Sequence, residues 1–225
     1  MRNRKNLQRI SVILVSLLAL ATFQFIGSGC GNDLGTLTQW SSVSKDIARW
    51  GSSKSSIPST IYTRKMNTNS SFAFNEGMTH ARDQWSSAFG ISMTISTFTS
   101  SPSSSAKIIF YGGTEAELYS LGIFTGIRLE ERSGYTEIDQ TEEGTWKHNG
   151  NNKNGYLTTK AQGCIVDYQR SVTRFKNTCT HELGHALGWR GDSPDSYTSD
   201  VMRASPSDTL TLSARDKDHL TQLYK

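Results

Sequence analysis

Two histidines four residues apart, His181 and His185, restrict the fold of this chain more than any other feature. They bound the stretch His-Glu-Leu-Gly-His at positions 181–185, inside a segment that Ser171 can cap and Gly188 can end, which predicts a helix over 171–187. Residues at this spacing project from one face of a helix, so both imidazoles can reach one metal ion at about 2.0–2.1 Å. Glu182 projects beside that stripe, where a carboxylate can reach a metal-bound water instead of the metal.

The residues after the second histidine extend this pattern. Gly188, three residues past His185, lets the chain leave the helix in a left-handed turn. Such a turn can bring a third ligand round to the same ion. Further along, the stretch 199–202 can form a tight turn that places Met202 beneath the metal site.

The segment from His181 to Met202 resembles the metzincin zinc metallopeptidases, and their matrixin-like branch in particular, whose signature is HExxHxxGxxH followed by a methionine turn. The likeness extends over roughly 61–224, because 74–89 and 212–224 resemble the family's first and last helices. It implies a Zn²⁺ cofactor, a protein or peptide substrate, and peptide-bond hydrolysis through a zinc-activated water with Glu182 as general base. It also implies an α+β fold in which a twisted mixed β-sheet packs on two long helices. A small C-terminal subdomain would follow the zinc-binding helix and end in a helix.

The third metal ligand is where this sequence departs from the family. The family's third histidine would fall at position 191, which is Gly191, and the next residue is Asp192. We predict Asp192 as the third ligand, since some metzincin relatives use aspartate and some have one extra residue in the spacing. The alternative is that Asp192 caps a turn while Asp195 or Asp200 binds the metal. No glutamate follows Glu182, which excludes the downstream glutamate ligand of the gluzincins.

Residues 1–29 have the organisation of a bacterial secretory signal peptide. Arg2–Arg9 is basic, Ile10–Ile26 is a nearly continuous apolar run, and 27–29 are small residues. The alternative is a permanent membrane anchor, because the run is near the minimum that spans about 30 Å of hydrocarbon. Cys30 follows directly, in a context that resembles a bacterial lipoprotein cleavage site, so we predict its lipidation; ordinary cleavage leaving a free cysteine is the alternative. The protein is therefore expected outside the cytoplasm, lipid-anchored at the cell membrane or secreted.

The rest of the chain divides into a linker and one domain. Residues 30–57 are rich in Ser, Gly and Thr with few apolar anchors, which predicts a linker. The alternative is a loosely packed lead-in whose Trp40, Ile47 and Trp50 could dock onto the domain. Residues 58–225 have the patterning of the catalytic domain. Apolar residues at helical spacing predict a helix from Ser71 to Phe89, followed by several strand-like segments. A capping-box pattern at Ser213 predicts a last helix, on which we expect His219 to lie at the surface. This order of elements indicates an α+β fold.

The chain has three cysteines. With Cys30 lipidated, Cys164 and Cys179 remain as a pair, and an even pair in an exported protein predicts a disulfide. The bond would contribute roughly 3 kcal/mol and join the segment before the metal-binding helix to that helix. The alternative is two separately buried thiols.

The net charge of +4 gives no support for nucleic-acid binding. The chain carries 24 basic and 20 acidic residues, but positions 1–29 hold four of the basic residues and no acid, so 20 of each remain beyond it. Nucleic-acid binding requires a basic face on the folded domain. We expect a monomer whose partners are a protein or peptide substrate and, through its lipid anchor, a membrane.

Two other functions compete with the peptidase hypothesis. The departure at Gly191 and Asp192 is compatible with a catalytically weak or inactive metzincin-fold binding protein on the cell surface. Glu182 argues against that alternative, because a zinc-binding module has no need of a base at this position. A membrane-tethered adhesin of the lipoprotein class is the third hypothesis, and it shares its tether with the peptidase.

Overall fold

The computed structural model describes residues 46–224, apart from 149–150, 169 and 206. The signal peptide, Cys30 and the first part of the predicted linker lie outside the described residues. Their assignments therefore stay predictions.

The described chain is a mixed α/β structure. In chain order its elements are β1 (Asp46–Arg49), β2 (Thr60–Lys65), α1 (Phe74–Phe89), β3 (Thr94–Thr97), β4 (Ile108–Gly113), α2 (Glu115–Tyr119), β5 (Gly134–His148), β6 (Asn151–Val166), α3 (Val172–Ala186) and α4 (Ala214–Leu223). Two short 3-10 helices, Lys54–Ser56 and Leu129–Glu131, lie in the connections. None of the helices in this part of the chain is both long and apolar enough to span a bilayer.

All six strands form one mixed sheet built around β6. One edge of β6 pairs antiparallel with β5 along its length. The other edge pairs in parallel, first with β1 and then with β4, and β2 and β3 continue from β4 in parallel. The predicted mixed sheet and helices are therefore present, and β5 is the antiparallel strand at the edge.

The two long helices pack on one face of this sheet. Helix α1 buries a stripe at helical spacing that consists of Phe74, Met78, Ala81, Trp85 and Phe89. Gly90 ends it with φ 65°, a left-handed conformation that favours glycine. Helix α1 also approaches α3 closely, because a Cβ at Gly77 would lie 2.6 Å from Cys179 Sγ. One core thus joins α1, α3 and the sheet.

Residues 46–57 correct the predicted boundary between linker and domain. Strand β1 adds to the sheet, and Ile47, Trp50 and Ile57 are buried in the main core. Trp50 Nε1 donates a hydrogen bond of 2.9 Å to Ala186 O at the end of α3. The folded domain therefore includes Asp46 onward, since apolar anchors spaced far apart in a polar segment are enough to dock it.

The predicted disulfide is wrong: Cys164 and Cys179 are both free and buried. Cys179 lies in the core between the helices and the sheet. Cys164, on β6, belongs to the second apolar cluster with Ile109 and Val166, whereas its neighbour Ile165 belongs to the first. Because side chains alternate between the faces of a strand, the sheet separates the two sulfurs.

We expect thiol titration to confirm this correction. In a Cys30→Ser variant, a thiol-specific reagent should react with neither cysteine of the native protein, because burial shields both thiols and raises the pKa of each. Unfolding without reductant should release both. Recovery of no thiol after unfolding would instead establish the disulfide.

Candidate metal centre

Helix α3 carries the two histidines on one face. Ser171 begins it, and its Oγ accepts a hydrogen bond from Arg174 N at 3.3 Å. His181 and His185 stand one turn apart, with ring centroids 4.6 Å apart and planes at 84°. The helix observed over Val172–Ala186 matches the predicted one closely. Local sequence signals were therefore enough to predict the helix that carries both histidines.

A turn after α3 brings an aspartate to the histidines. Gly191, where the resembled family has its third histidine, has φ 72°, a left-handed conformation that favours glycine. Asp192 Oδ1 lies 3.2 Å from His181 Nε2 and 3.6 Å from His185 Nε2. The two Nε2 atoms lie 2.9 Å apart. Among the described residues, this is the one group of three or more His, Cys, Asp or Glu side chains arranged to hold a metal ion.

The other two aspartates weighed as ligands are occupied elsewhere. Asp195 accepts hydrogen bonds from the backbone N and the Oγ of Ser205, at 3.0 and 2.9 Å. Asp200 is buried and accepts from Ser213 Oγ at 2.7 Å and from Arg215 Nε at 2.8 Å. Asp192 is thus the aspartate that the structure brings to the histidines.

Backbone carbonyls fix the orientation of both rings. His181 Nδ1 lies 3.0 Å from Val201 O, and His185 Nδ1 lies 2.9 Å from Trp189 O. A carbonyl oxygen only accepts, so each Nδ1 must carry a hydrogen, and in a neutral ring the lone pair is left on Nε2. Two lone pairs facing each other repel, so the space between them requires a proton or a metal cation.

Charge in the metal-free centre follows from the same contacts. Burial alone would lower the pKa of His181, but the hydrogen bond that its ring donates to Asp192 and the charges of Glu182 and Asp192 raise it to about 9. Burial and the positive charge of His181 lower the pKa of His185 to about 4. Burial opposes ionisation of Asp192, yet the adjacent histidines lower its pKa. A single proton shared by the pair satisfies the centre when no metal is bound.

Glu182 lies beside the three ligand atoms and is not one of them. It is buried, and its Oε2 accepts a hydrogen bond of 2.8 Å from Thr136 Oγ1 on β5. Burial raises the pKa of Glu182, against the opposing charge of His181 and this hydrogen bond. Strand β5 also comes very close, because a Cβ at Gly134 would lie 2.7 Å from Glu182 Cγ.

Met202 lies against α3 at Gly184, a residue between the two histidines in the sequence. A Cβ at Gly184 would lie 2.5 Å from Met202 Sδ, so the glycine of the histidine motif admits the methionine. The turn is fixed from α4, where Asp216 accepts hydrogen bonds from Val201 N at 2.9 Å and from Met202 N at 3.3 Å. Val201 is also the residue whose carbonyl orients His181, so α4 supports the centre through this turn.

His219 corrects the expectation that it lies at the surface. It is 1% exposed, and its ring centroid lies 4.1 Å from that of Trp189. Asp216, Leu220 and Leu223 are buried with it, at spacings of three and four residues along α4. That spacing is the buried-face signature of a helix, and it places His219 on the inner face.

The contacts of Thr136, Gly134 and Asp216 with the centre were not predicted from the sequence. Thr136 and Glu182 are 46 residues apart, and nothing local to either residue indicates their hydrogen bond. Asp216 has a detectable signal, because it completes a capping box with Ser213. Its second task, holding the turn at Val201, follows only from the packing of α4.

An open cleft of about 460 Å³ lies beside the centre. It is lined by residues of β5 and the segment before it, of α3, and of the loops before and after α3, and His181, Glu182, His185 and Asp192 all face it. A ligand in the cleft would therefore meet the two histidines, Asp192 and the glutamate together.

Comparison with known proteins adds little to this geometry. No protein family matches the chain, and no curated protein sequence matches it. Among solved structures, one of myroilysin is 14% identical, with a TM-score of 0.36, over 74% of this chain and 92% of that one. A second structure of myroilysin is 15% identical, with a TM-score of 0.37, over 84% of this chain and 99% of that one. Similarity at this level leaves the function to be inferred from the site.

A double-mutant cycle tests the contact between Thr136 and Glu182. We expect Thr136→Val to lower the free energy of unfolding by about 1–3 kcal/mol, because the carboxylate loses a buried hydrogen bond. Thr136→Ser keeps the hydroxyl and should lose much less. In a Glu182→Ala background, denaturant titration should show a smaller effect of Thr136→Val. The same loss in both backgrounds would contradict the contact.

Proposed function

We propose that this chain is a zinc-dependent endopeptidase of the metzincin type, which hydrolyses peptide bonds with Glu182 as general base. One observation carries the proposal: two imidazole Nε2 atoms face each other at 2.9 Å with the Asp192 carboxylate beside them. A buried glutamate stands next to this group without joining it. This division of roles suits a hydrolytic metal centre and has no use in a purely structural one.

The three donors fit Zn²⁺. Donor atoms of a tetrahedral zinc site with bonds of about 2.0–2.2 Å lie roughly 3.3–3.6 Å apart. The corresponding separations between His181, His185 and Asp192 are 2.9, 3.2 and 3.6 Å. Two imidazoles and one carboxylate form a common catalytic zinc set, and three protein ligands leave one position for water or substrate. The carbonyls of Val201 and Trp189 supply the outer hydrogen bonds that such histidines need.

Bound zinc would supply Lewis-acid polarisation of the substrate carbonyl and a lowered pKa for water. The protein's own contribution to proton transfer rests on Glu182. Thr136 donates to Oε2, which leaves Oε1 as the oxygen that accepts a proton from water. Because burial raises the pKa of this carboxyl, it holds that proton more readily than an exposed glutamate and can pass it to the leaving amine.

The surroundings of the centre support the metzincin assignment. Met202 packs against Gly184, within the histidine motif, as the methionine turn of the resembled family would. Helices α1 and α3 lie together on one face of a mixed sheet, as that family implies. The departure is the aspartate in place of the third histidine, and Gly191 accommodates it through its left-handed turn.

We also propose that the enzyme acts outside the cytoplasm, lipid-anchored through Cys30 or secreted. The support is the basic, apolar and small-residue order of positions 1–29 and the cysteine that follows. A peptidase at the cell surface would meet protein and peptide substrates there.

Metal analysis tests the ligand set. We expect about one zinc per chain in the wild type and nearly none in His181→Ala or His185→Ala, because two remaining donors hold the ion poorly. Asp192→Ala should also lose zinc, whereas Asp195→Ala and His80→Ala should keep it as matched controls. Elemental analysis after dialysis gives the ratio. Zinc retained by Asp192→Ala but lost by Asp195→Ala would refute the assignment.

Glu182→Gln separates catalysis from metal binding. We expect this variant to bind zinc like the wild type, since Glu182 is not a ligand, and to cleave a fluorogenic peptide library about 10²–10⁴-fold more slowly. Equal rates would remove Glu182 from the mechanism. A zinc-loaded wild type that cleaves no peptide would favour the inactive binding protein instead.

A further inference from the structure

The cleft beside the centre is lined by four arginines, Arg132, Arg170, Arg190 and Arg203. Beyond residue 29 the chain carries equal numbers of basic and acidic residues, so this cluster is a local excess. It is also unrelated to the histidine motif, whose chemistry needs no guanidinium. The residues therefore need an explanation of their own.

The acidic residues of the cleft form no ion pair with Arg170 or Arg203 in the described part of the chain. Its lining contains three, Glu131, Glu182 and Asp192. Asp192 faces the histidines, and Glu182 is buried against Thr136. Glu131 forms an exposed ion pair with Arg128, 3.3 Å away, which is outside the lining. The bound cation proposed above would make the cleft more positive still.

Three of the arginines have uncharged neighbours. Arg203 Nε donates to Ser205 O at 2.9 Å, and the Arg170 guanidinium lies 5.4 Å from the centre of the Tyr168 ring. Arg132 lies 5.7 Å from the centre of the Tyr135 ring. The ion pairs between described residues include none of Arg132, Arg170 and Arg203. These guanidiniums are positioned by the protein and keep hydrogen-bond donors for a ligand.

Arg203 lies close to the candidate metal centre. It follows Met202 and forms an isolated parallel bridge with Ser193, the residue after Asp192. Arg170 precedes α3, and Asn177 and Thr178 of that helix also line the cleft. Asn177 and Thr178 precede His181 by three and four positions, which is about 5–6 Å along a helix axis. A peptide residue next to the scissile bond would therefore fall within reach of the wall that carries Arg203.

We propose that the cleft selects peptides with an aspartate or glutamate next to the scissile bond, and that Arg170 and Arg203 determine this specificity. The inference rests on the proposed peptidase function. A guanidinium matches a carboxylate through two parallel hydrogen bonds, and a cleft with an excess of one charge concentrates ligands of the opposite charge. A free C-terminal carboxylate has the same chemistry, so the test must separate it from a side chain.

Peptide binding to zinc-loaded Glu182→Gln protein tests this selectivity without turnover. The probes are short acetylated and amidated alanine-rich peptides that differ only in a central Glu, Gln or Lys, and a fourth peptide has Gln and a free C-terminus. We expect the Glu peptide to bind about tenfold or more tightly than the Gln peptide at low salt, and salt to weaken this preference. Fluorescence anisotropy gives the affinities.

Arginine variants in the same background locate the effect. Arg170→Gln and Arg203→Gln should each reduce the preference for Glu, and Arg203→Glu should turn it towards the Lys peptide, with zinc content unchanged. Arg64→Gln, on β2 and outside the cleft lining, is the matched control and should bind like the parent. Equal binding of the Glu and Gln peptides, or a preference that survives both Arg variants, overturns the inference.

Other results of these experiments distinguish a failure of the acidic specificity from a failure of the proposed peptidase function. A preference for the free C-terminus that does not depend on the central residue overturns the side-chain specificity. Cleavage of a peptide library by the wild type without enrichment of Asp or Glu beside the cut also overturns it, while the peptidase stands. If the Glu preference depends on Arg203 but the zinc-loaded wild type cleaves nothing, the acidic ligand stands and the peptidase fails.

Discussion

The repulsion between two imidazole lone pairs is the constraint on which the rest of this site depends. Val201 O and Trp189 O hold the Nδ1 hydrogens of His181 and His185, so their Nε2 atoms must face each other at 2.9 Å. Only a cation between them relieves that repulsion. The protein therefore carries a centre prepared for a positive charge, and Asp192 adds an anionic donor beside the two histidines.

The segments around the centre pack closely against one another at glycines. Glycines at 77, 134 and 184 leave no room for a Cβ, and they allow α1 to meet α3, β5 to meet Glu182, and Met202 to meet α3. Asp216 then links α4 to the turn that carries Val201 and Met202. Each of these contacts joins segments distant in the chain, so the ligands are held by the whole core and not by one helix.

Sequence patterns and the structure agree best where the signal is local. The helix predicted over 171–187 differs from the observed Val172–Ala186 by one residue at each end. The agreement is close because a serine cap and a terminal glycine are local features of the sequence. Agreement is poorest where the structure depends on contacts between segments that are distant in the chain. Cys164 and Cys179 suggested a disulfide, yet strand alternation puts them on opposite faces of the sheet. Residues 46–57 resembled a linker, yet Trp50 and its neighbours complete the core.

The sequence by itself determined the pair of histidines on one helical face, the glutamate beside them and the turn at Gly188 after the helix, since these depend only on helix geometry and backbone conformation. Only the tertiary structure decided which of Asp192, Asp195 and Asp200 reaches the pair. It also decided that Thr136 holds Glu182 and that four arginines line one cleft. The physical reason is that a site is a meeting of side chains in space, and the sequence spacing of segments joined by long loops does not fix their distances.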